Sequence, residues 1–348
     1  MALRSGTGVS GLTRVWEQAR PPWGLRMMAQ LYAGGWHLYE SLYRLRIRRR
    51  VAISVPVIGV GSLWVGGVGK TPVTLALARH WHQQGKRVVV LGHGYGGRRY
   101  RQVTLIEPGV PAAPLEVGDE ACEARMALPN VPIAVGKSRV AVARQAIEYW
   151  KPDLIVLDDG FQHLPLARTV DLVILPTEKP FGNGYCLPAG PLREPPSGLR
   201  RAHALLWMGE DEPKATVSLP AFRVRTRFSK PLPLWGTEPS VPLLPQERVQ
   251  VLTAIARPER FVAMLQREGW SIESVAVYPD HHDFREVDLS HYAGKIVVMT
   301  AKDGVKLRER LPRTCRAYVI PIIAEPEDAL WRWLESALIS RSSDRIDR

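Results

Sequence analysis

The sequence predicts an α/β protein: a mostly parallel sheet with helices on both faces, joined to a second, smaller α/β domain. Three observations lead there. Apolar strands alternate with amphipathic helices over residues 51–208, the rhythm of a parallel sheet buried on both faces. The first of those strands, from Val57, runs straight into a glycine-rich loop and a helix start. After a proline-rich stretch at 209–248, strand and helix periodicity resumes.

From Val57 the strand leads through Trp64, Val65, Gly66, Gly67, Val68 and Gly69 to Lys70 and Thr71, which open a helix reaching about residue 84. Glycines at 66, 67 and 69 permit tight turns that aim backbone N–H groups inward at an anion. The helix N-terminus adds partial positive charge, Lys70 a full one, and the Thr71 hydroxyl can ligate Mg²⁺. These parts together hold the phosphates of a nucleoside triphosphate, so the fold is expected to be P-loop NTPase-like. The strict spacing G-x-x-x-x-G-K-[ST] would place glycine where this chain has Trp64.

A strand is expected at 87–91, then a glycine-rich loop from His93 to Gly97. Helices at 118–127 and 138–150 alternate with strands at 132–135, 154–157 and 171–175. Ligands of such sheets sit outside the carboxyl ends of the strands, so these loops should gather on one edge. Asp158 and Asp159 end the 154–157 strand, the usual place for a Mg²⁺-ligating carboxylate; a turn-capping pair is the plainer alternative. Asp119 opens a helix, where the dipole favours an acid whatever its function, so spacing alone leaves catalysis open. The run from Asp280 through His281 and His282 to Asp283 is an acid–base pair or a polar loop. Adjacent histidines point to opposite sides of an extended chain, which argues against a shared metal. Residues 181–195 are too rich in glycine and proline for regular structure, and Arg193 there could grip an anion.

The second unit should comprise strands at 250–255, 272–278, 295–300 and 317–322 and helices at 258–268 and 326–338. The division expected is therefore an N-terminal segment at 1–50, a phosphate-loop domain at 51–208, a connection at 209–248 and a C-terminal domain at 249–348. Three cysteines without metal or redox spacing suit a reducing compartment. A formal charge of +13 calls for an anionic partner. No nucleic-acid motif accompanies it, which favours lipid or a phosphorylated substrate over nucleic acid. Neither a secretory signal nor a membrane span is legible. In residues 23–50, Leu25, Met28, Tyr32, Trp36, Tyr39 and Tyr43 recur at helical spacing, with Gln30, His37, Glu40, Ser41 and Arg44 opposite. The arginines at 44, 46, 48, 49 and 50 follow. Periodicity allows either a helix lying in an anionic membrane interface or one packed on the domain.

Taken together, the chain resembles the tetraacyldisaccharide 4′-kinases of lipid A biosynthesis. The resemblance rests on Val65 to Pro72, Gly94 to Gly96, Val117 to Ala121, Asp158 to His163, Phe181 to Gly184, Leu187 to Glu194, Ala256 to Phe261, Asp280 to His282 and Lys302-Asp303. Departures are His93 in place of an arginine, Ala301 in place of a glutamate, and Ala256 where glycine is common. The resemblance implies ATP and Mg²⁺ as cofactors and an acylated disaccharide phosphate lipid as acceptor. It further implies peripheral work on an anionic membrane, at the cytoplasmic face of the inner membrane. By the same carry-over Asp119 is the base, His281 assists it, Lys70 is catalytic, and Thr71, Asp158 and Asp159 are metal candidates. Arg193, Asn183 and Gln162 are the candidate substrate contacts. The rival reading is a nucleotide-switch ATPase of the partition or metal-insertion type, whose loop would carry lysine where Val65 stands.

Overall fold

The computed structural model describes residues 4–5, 11–215, 217–236, 243–244, 246–280 and 282–346. In chain order, β1 (Arg4–Ser5), α1 (Gly11–Trp16) and α2 (Trp23–Arg44) precede β2 (Val57–Ser62) and α3 (Lys70–Gln83). Next come β3 (Val88–Gly92), β4 (Thr104–Ile106), α4 (Pro114–Val117), α5 (Asp119–Ala127) and β5 (Ile133–Val135). They lead to α6 (Arg139–Trp150), β6 (Leu154–Leu157), β7 (Val170–Pro176), β8 (Ala204–Met208) and β9 (Ala221–Phe228). The remainder is β10 (Leu232–Pro233), β11 (Arg248–Thr253), α7 (Pro258–Arg267), β12 (Ser271–Val277) and β13 (Ile296–Met299). It closes with α8 (Ala301–Leu307), β14 (Arg316–Val319), β15 (Ile322–Pro326) and α9 (Asp328–Ile346).

Two sheets organise these elements. The larger has the order β15-β9-β8-β7-β2-β6-β3-β5-β4 and is parallel except at its edges, where β15 and β4 run antiparallel to their neighbours. Its central strands β2, β6 and β7 are buried along their whole length, which is why they read as apolar runs without alternation. The smaller sheet runs β1-β12-β11-β13-β14-β10, parallel except for β10. The expected α/β class with a mostly parallel sheet is the one observed.

The domain boundaries differ from the expected division. The stretch at 209–248 is not a simple connection, because β9 lies within it and joins the large sheet. Nor does the C-terminal part belong wholly to the smaller unit. Strand β15 returns to pair with β9, and α9 buries Leu330 and Leu334 in the large unit's core. The smaller unit is thus an insertion between β9 and β15, to whose sheet the N-terminal β1 adds an edge strand beside β12. Local periodicity cannot reveal this, since a strand's sheet partner is set by long-range pairing.

Helix α2 also departs from expectation in orientation. Its Glu40 is 4% exposed and paired with Arg200 and Arg201; Ala29 and Tyr43 are buried beside it on the domain. Trp36 donates its indole N–H to Glu194 Oε2 at 2.9 Å, and the Tyr32 hydroxyl donates to the Arg193 carbonyl at 2.7 Å. The large apolar side chains left outward are Trp23, Met27, Met28, Leu31, Tyr32 and Leu38, with Leu31 and Leu38 74% and 67% exposed. One acid of the pattern is therefore misassigned by hydrophobicity alone: Glu40 faces inward because arginines wait for it there. Among the described residues, no helix is long and apolar enough to cross a membrane.

Strand β2 delivers the phosphate loop, and its exit is set by a close contact. A Cβ on Gly61 would stand 2.4 Å from the Phe161 Cβ and 2.9 Å from its backbone nitrogen. Phe161 is fully buried, so it has nowhere to move. Gly61→Ala should therefore cost about 1–3 kcal/mol through overpacking. A clear drop in melting temperature checks this; an unchanged one would mean that the β2 and Phe161 backbones are free to part.

Candidate active site

The site assembles at the carboxyl edge of the large sheet and is completed by the inserted unit. One cleft of about 690 Å³ is lined by the phosphate loop from Val65 to Thr71, by Asp159, Gln162 and Arg193, and by Glu120 and Glu123. From the inserted unit it receives Ala256, Arg257, Arg260, Asp280 and Lys302.

Lys70 and Thr71 begin α3, as the loop spacing requires, and Gly69 caps that helix in the left-handed region. The Thr71 hydroxyl donates to Asp158 Oδ2 at 3.0 Å, and the Thr74 hydroxyl to Oδ1 at 2.8 Å. Asp159 turns the other way: its carboxylate meets Lys70 Nζ at 3.7 Å and Arg193 Nη1 at 2.6 Å. Burial and the neighbouring Asp159 hold the Asp158 carboxyl above its ordinary range. Burial pushes Asp159 the same way, but Lys70 and Arg193 outweigh it and keep that carboxyl low. The two aspartates thus divide the work. A hydroxyl and a carboxylate side by side offer hard oxygen donors, which fit Mg²⁺ better than a softer ion. Among the described residues no group of three or more His, Cys, Asp or Glu forms a metal cage.

Trp64 explains the departure from the strict loop spacing. Its indole donates to the Pro180 carbonyl at 2.7 Å, and the Arg257 guanidinium lies over its ring at 4.6 Å. Glycine there would remove the anchor between the phosphate loop, the 181–195 segment and the inserted unit. Gln162 donates to the Ser62 carbonyl and to Glu194 Oε1, so its place at the cleft wall is fixed. Asn183 behaves differently: it is absent from the cleft lining, and its amide donates to the Ala189 and Gln18 carbonyls.

Asp119 is buried at the start of α5, with Oδ1 accepting from the Glu120 N–H at 3.1 Å. Gly118 before it has φ of 87°, and a Cβ there would strike the Tyr95 carbonyl at 2.5 Å. The Gly94–Gly97 loop is therefore locked against the entry to α5. Across the cleft, Lys302 pairs with Asp280 at 2.9 Å. Burial works against the charge on Lys302, but Asp280 and Asp119 outweigh it and raise its pKa. Burial pushes Glu120 up to about 7 and Glu123 up to about 8, each relieved in part by Lys302. His281 lies outside the described residues.

Sequence reasoning passed over several wall residues. Arg139 is buried at the start of α6, and the rule that binding groups cluster where helices follow strands could have found it. Glu123 lies one turn beyond Asp119 and Glu120, a spacing that puts all three acids near one face. Arg257 and Arg260 belong to a matched motif but could not be tied to the phosphate loop without the tertiary structure. His93 and His163 also line the cleft; burial first, then the nearby Arg139, brings both imidazoles down to about 4, so they are neutral at pH 7.

Comparison with known proteins agrees with this geometry. The family model described as tetraacyldisaccharide-1-P 4′-kinase matches residues 22–339. The tetraacyldisaccharide 4′-kinase of Anaeromyxobacter sp. (strain K) is 35% identical over 373 residues, covering 97% of this chain and 98% of that protein. The protein of the same name from Polaromonas sp. (strain JS666 / ATCC BAA-500) is 36% identical, covering 94% of each. Among solved structures, LpxK from Aquifex aeolicus in complex with ATP superimposes with a TM-score of 0.76 at 28% identity, covering 90% of this chain and 97% of that one. Sequence, length and backbone all agree, and the chain belongs to the tetraacyldisaccharide-1-phosphate 4′-kinase family.

Proposed function

We propose that the chain transfers the γ-phosphoryl group of ATP to the 4′-hydroxyl of a tetraacyldisaccharide 1-phosphate, with Asp119 as the proton acceptor. One observation carries the reading. Lys70, Thr71 and Asp159 line one part of a cleft, while Glu120, Glu123, Asp280 and Lys302 from two facing units line another. A switch ATPase needs only the first set, and family membership leaves that alternative without support.

The bond from O4′ to the γ-phosphorus forms as the bridge to ADP breaks, and the hydroxyl proton passes to Asp119. In a loose transition state that proton leaves late, so a carboxylate of ordinary basicity suffices and positioning dominates. Mg²⁺, held through Thr71 and Asp158, would supply charge neutralisation on the phosphate oxygens. Lys70 and Arg193, both oriented by Asp159, do the same from the protein. Gln162 and Arg193 are the contacts we assign to the acceptor or its phosphates, and Asn183 shapes the loop that carries Arg193. His281, by resemblance, orients Asp119 from the inserted unit.

The acceptor carries four acyl chains, so the enzyme must meet it at a membrane surface. We assign that contact, at the cytoplasmic face of the inner membrane, to the outward side of α2. Trp23, Met27, Leu31 and Leu38 supply apolar area, and residues 44–50, five of them arginine, are all exposed.

Asp119→Asn should keep ATP binding and its melting temperature while kcat falls by ~10²–10⁴-fold, the usual contribution of a positioned acid–base group. A loss confined to the Michaelis constant for the lipid would make Asp119 a binding residue instead. For the membrane contact, Leu31→Ser/Leu38→Ser should remove the binding to anionic vesicles that persists at high salt. Converting Arg44, Arg46, Arg48 and Arg49 to Gln should remove the salt-sensitive part, ~1 kcal/mol for each arginine. Sedimentation of both variants like wild type would send the search to another surface.

A further inference from the structure

Helix α8 brings a second lysine to the seam between the units, one turn beyond Lys302. Lys306 is 8% exposed, and its Nζ lies 3.8 Å from Asp119 Oδ2 and 3.8 Å from Asp303 Oδ1. The Phe284 ring centroid is 5.6 Å away. Among the described residues Nζ makes no hydrogen bond, so charge rather than a directed donor links it to its neighbours. A buried ammonium held between two carboxylates is not an ordinary solvated lysine.

Asp303 explains why Lys306 stays there. It is wholly buried, accepting from the Thr253 and Thr300 hydroxyls at 2.8 Å each and from the Ala254 N–H at 3.0 Å. Those donors come from the end of β11 and the cap of α8, so Asp303 is fixed within the inserted unit. Asp119 belongs to the other unit. Helices α5 and α8 pack against each other along this seam, with acids at 119, 120 and 123 on one side and lysines at 302 and 306 on the other.

We propose that Lys306 is a positioning residue for the phosphoryl transfer: it carries positive charge from the inserted unit to Asp119 and fixes that carboxylate for proton acceptance. It touches neither ATP nor acceptor in this scheme. Its effect is conditional on the two units being closed, so base competence and closure become one event. The inference rests on the reading of Asp119 as the base.

The test is a double-mutant cycle on the purified full chain, with kcat and both Michaelis constants measured beside thermal melts. Lys306→Met should lower kcat about tenfold to a hundredfold, within the range a positioned base contributes, and leave the Michaelis constant for ATP within about threefold. Lys306→Gln, which can hydrogen-bond Asp303, is a second neutral variant in case the methionine fails to fold. Lys306→Arg should recover most of the rate, because charge is what matters. In the Asp119→Asn background, neutralising Lys306 should cost almost nothing further. Losses that multiply in that background would overturn the proposal, as would an arginine variant no better than the neutral ones. Unchanged kcat in the neutral variants would do the same. If Asp119→Asn alone keeps full kcat, it is the base assignment that fails.

Discussion

Two successive aspartates at the end of β6 must serve different partners, and the backbone makes that possible. Asp159 has φ of 48°, a region that Asp tolerates better than most residues but still at some cost. The turn sends Asp158 toward Thr71 and Thr74 and Asp159 toward Lys70 and Arg193. Without it, two carboxylates would compete for one set of partners, and Lys70 and Arg193 would repel each other without a counter-ion. The loop from Phe181 to Glu194 shares the same point, because the Arg193 side chain is one of its ties to the sheet edge, beside backbone bonds from Arg193 to Leu63 and from Val65 to Pro191.

Charge in the cleft is paired within each unit and also across the seam: Asp280 meets Lys302 and Asp303 meets Lys306 inside the inserted unit, while Asp119 meets Lys306 across it. The large unit contributes a carboxylate-rich helix start on α5, and the inserted unit answers with lysines on α8. Burial pushes Glu120 up to about 7 and Glu123 up to about 8 even with Lys302 opposing it, so Glu123 is mostly protonated near neutral pH. Opening the seam would separate Asp119 from Lys306 and expose Glu120 and Glu123 to water, while Lys302 would keep Asp280 and Lys306 would keep Asp303. Closure gains Coulombic energy and loses hydration, so a small change in ligand charge can shift the balance between the two states.

The local chemistry was legible where it is encoded in consecutive residues. The phosphate loop, the tandem aspartates and the helix starting at Asp119 all depend on short-range spacing, and all meet at one sheet edge as parallel strands dictate. What escaped was set by distant parts of the chain. Glu40 reads as a solvent-facing acid on an amphipathic wheel, and only Arg200 and Arg201 make its burial favourable. Trp64 looks like a flaw in a glycine motif until Pro180 and Arg257 are placed beside it. The return of β15 to the large sheet leaves no trace in its own five residues.

That return has a mechanical consequence. The inserted unit is reached through β9 and left through β15, and these strands are paired antiparallel neighbours, with Ile322 opposite Phe228 at their exit. Both of these tethers therefore emerge from one place, as on a door hung from one edge, while β1 adds a third link at the β12 side of the smaller sheet. Such an attachment permits swinging about an axis near that edge but resists twisting, since rotation would shear the ladder between the two strands. Helix α8 sits close to that edge, since the Ile320 N–H donates to the Met299 carbonyl just before the helix, so the seam it forms with α5 travels less than parts of the unit farther out.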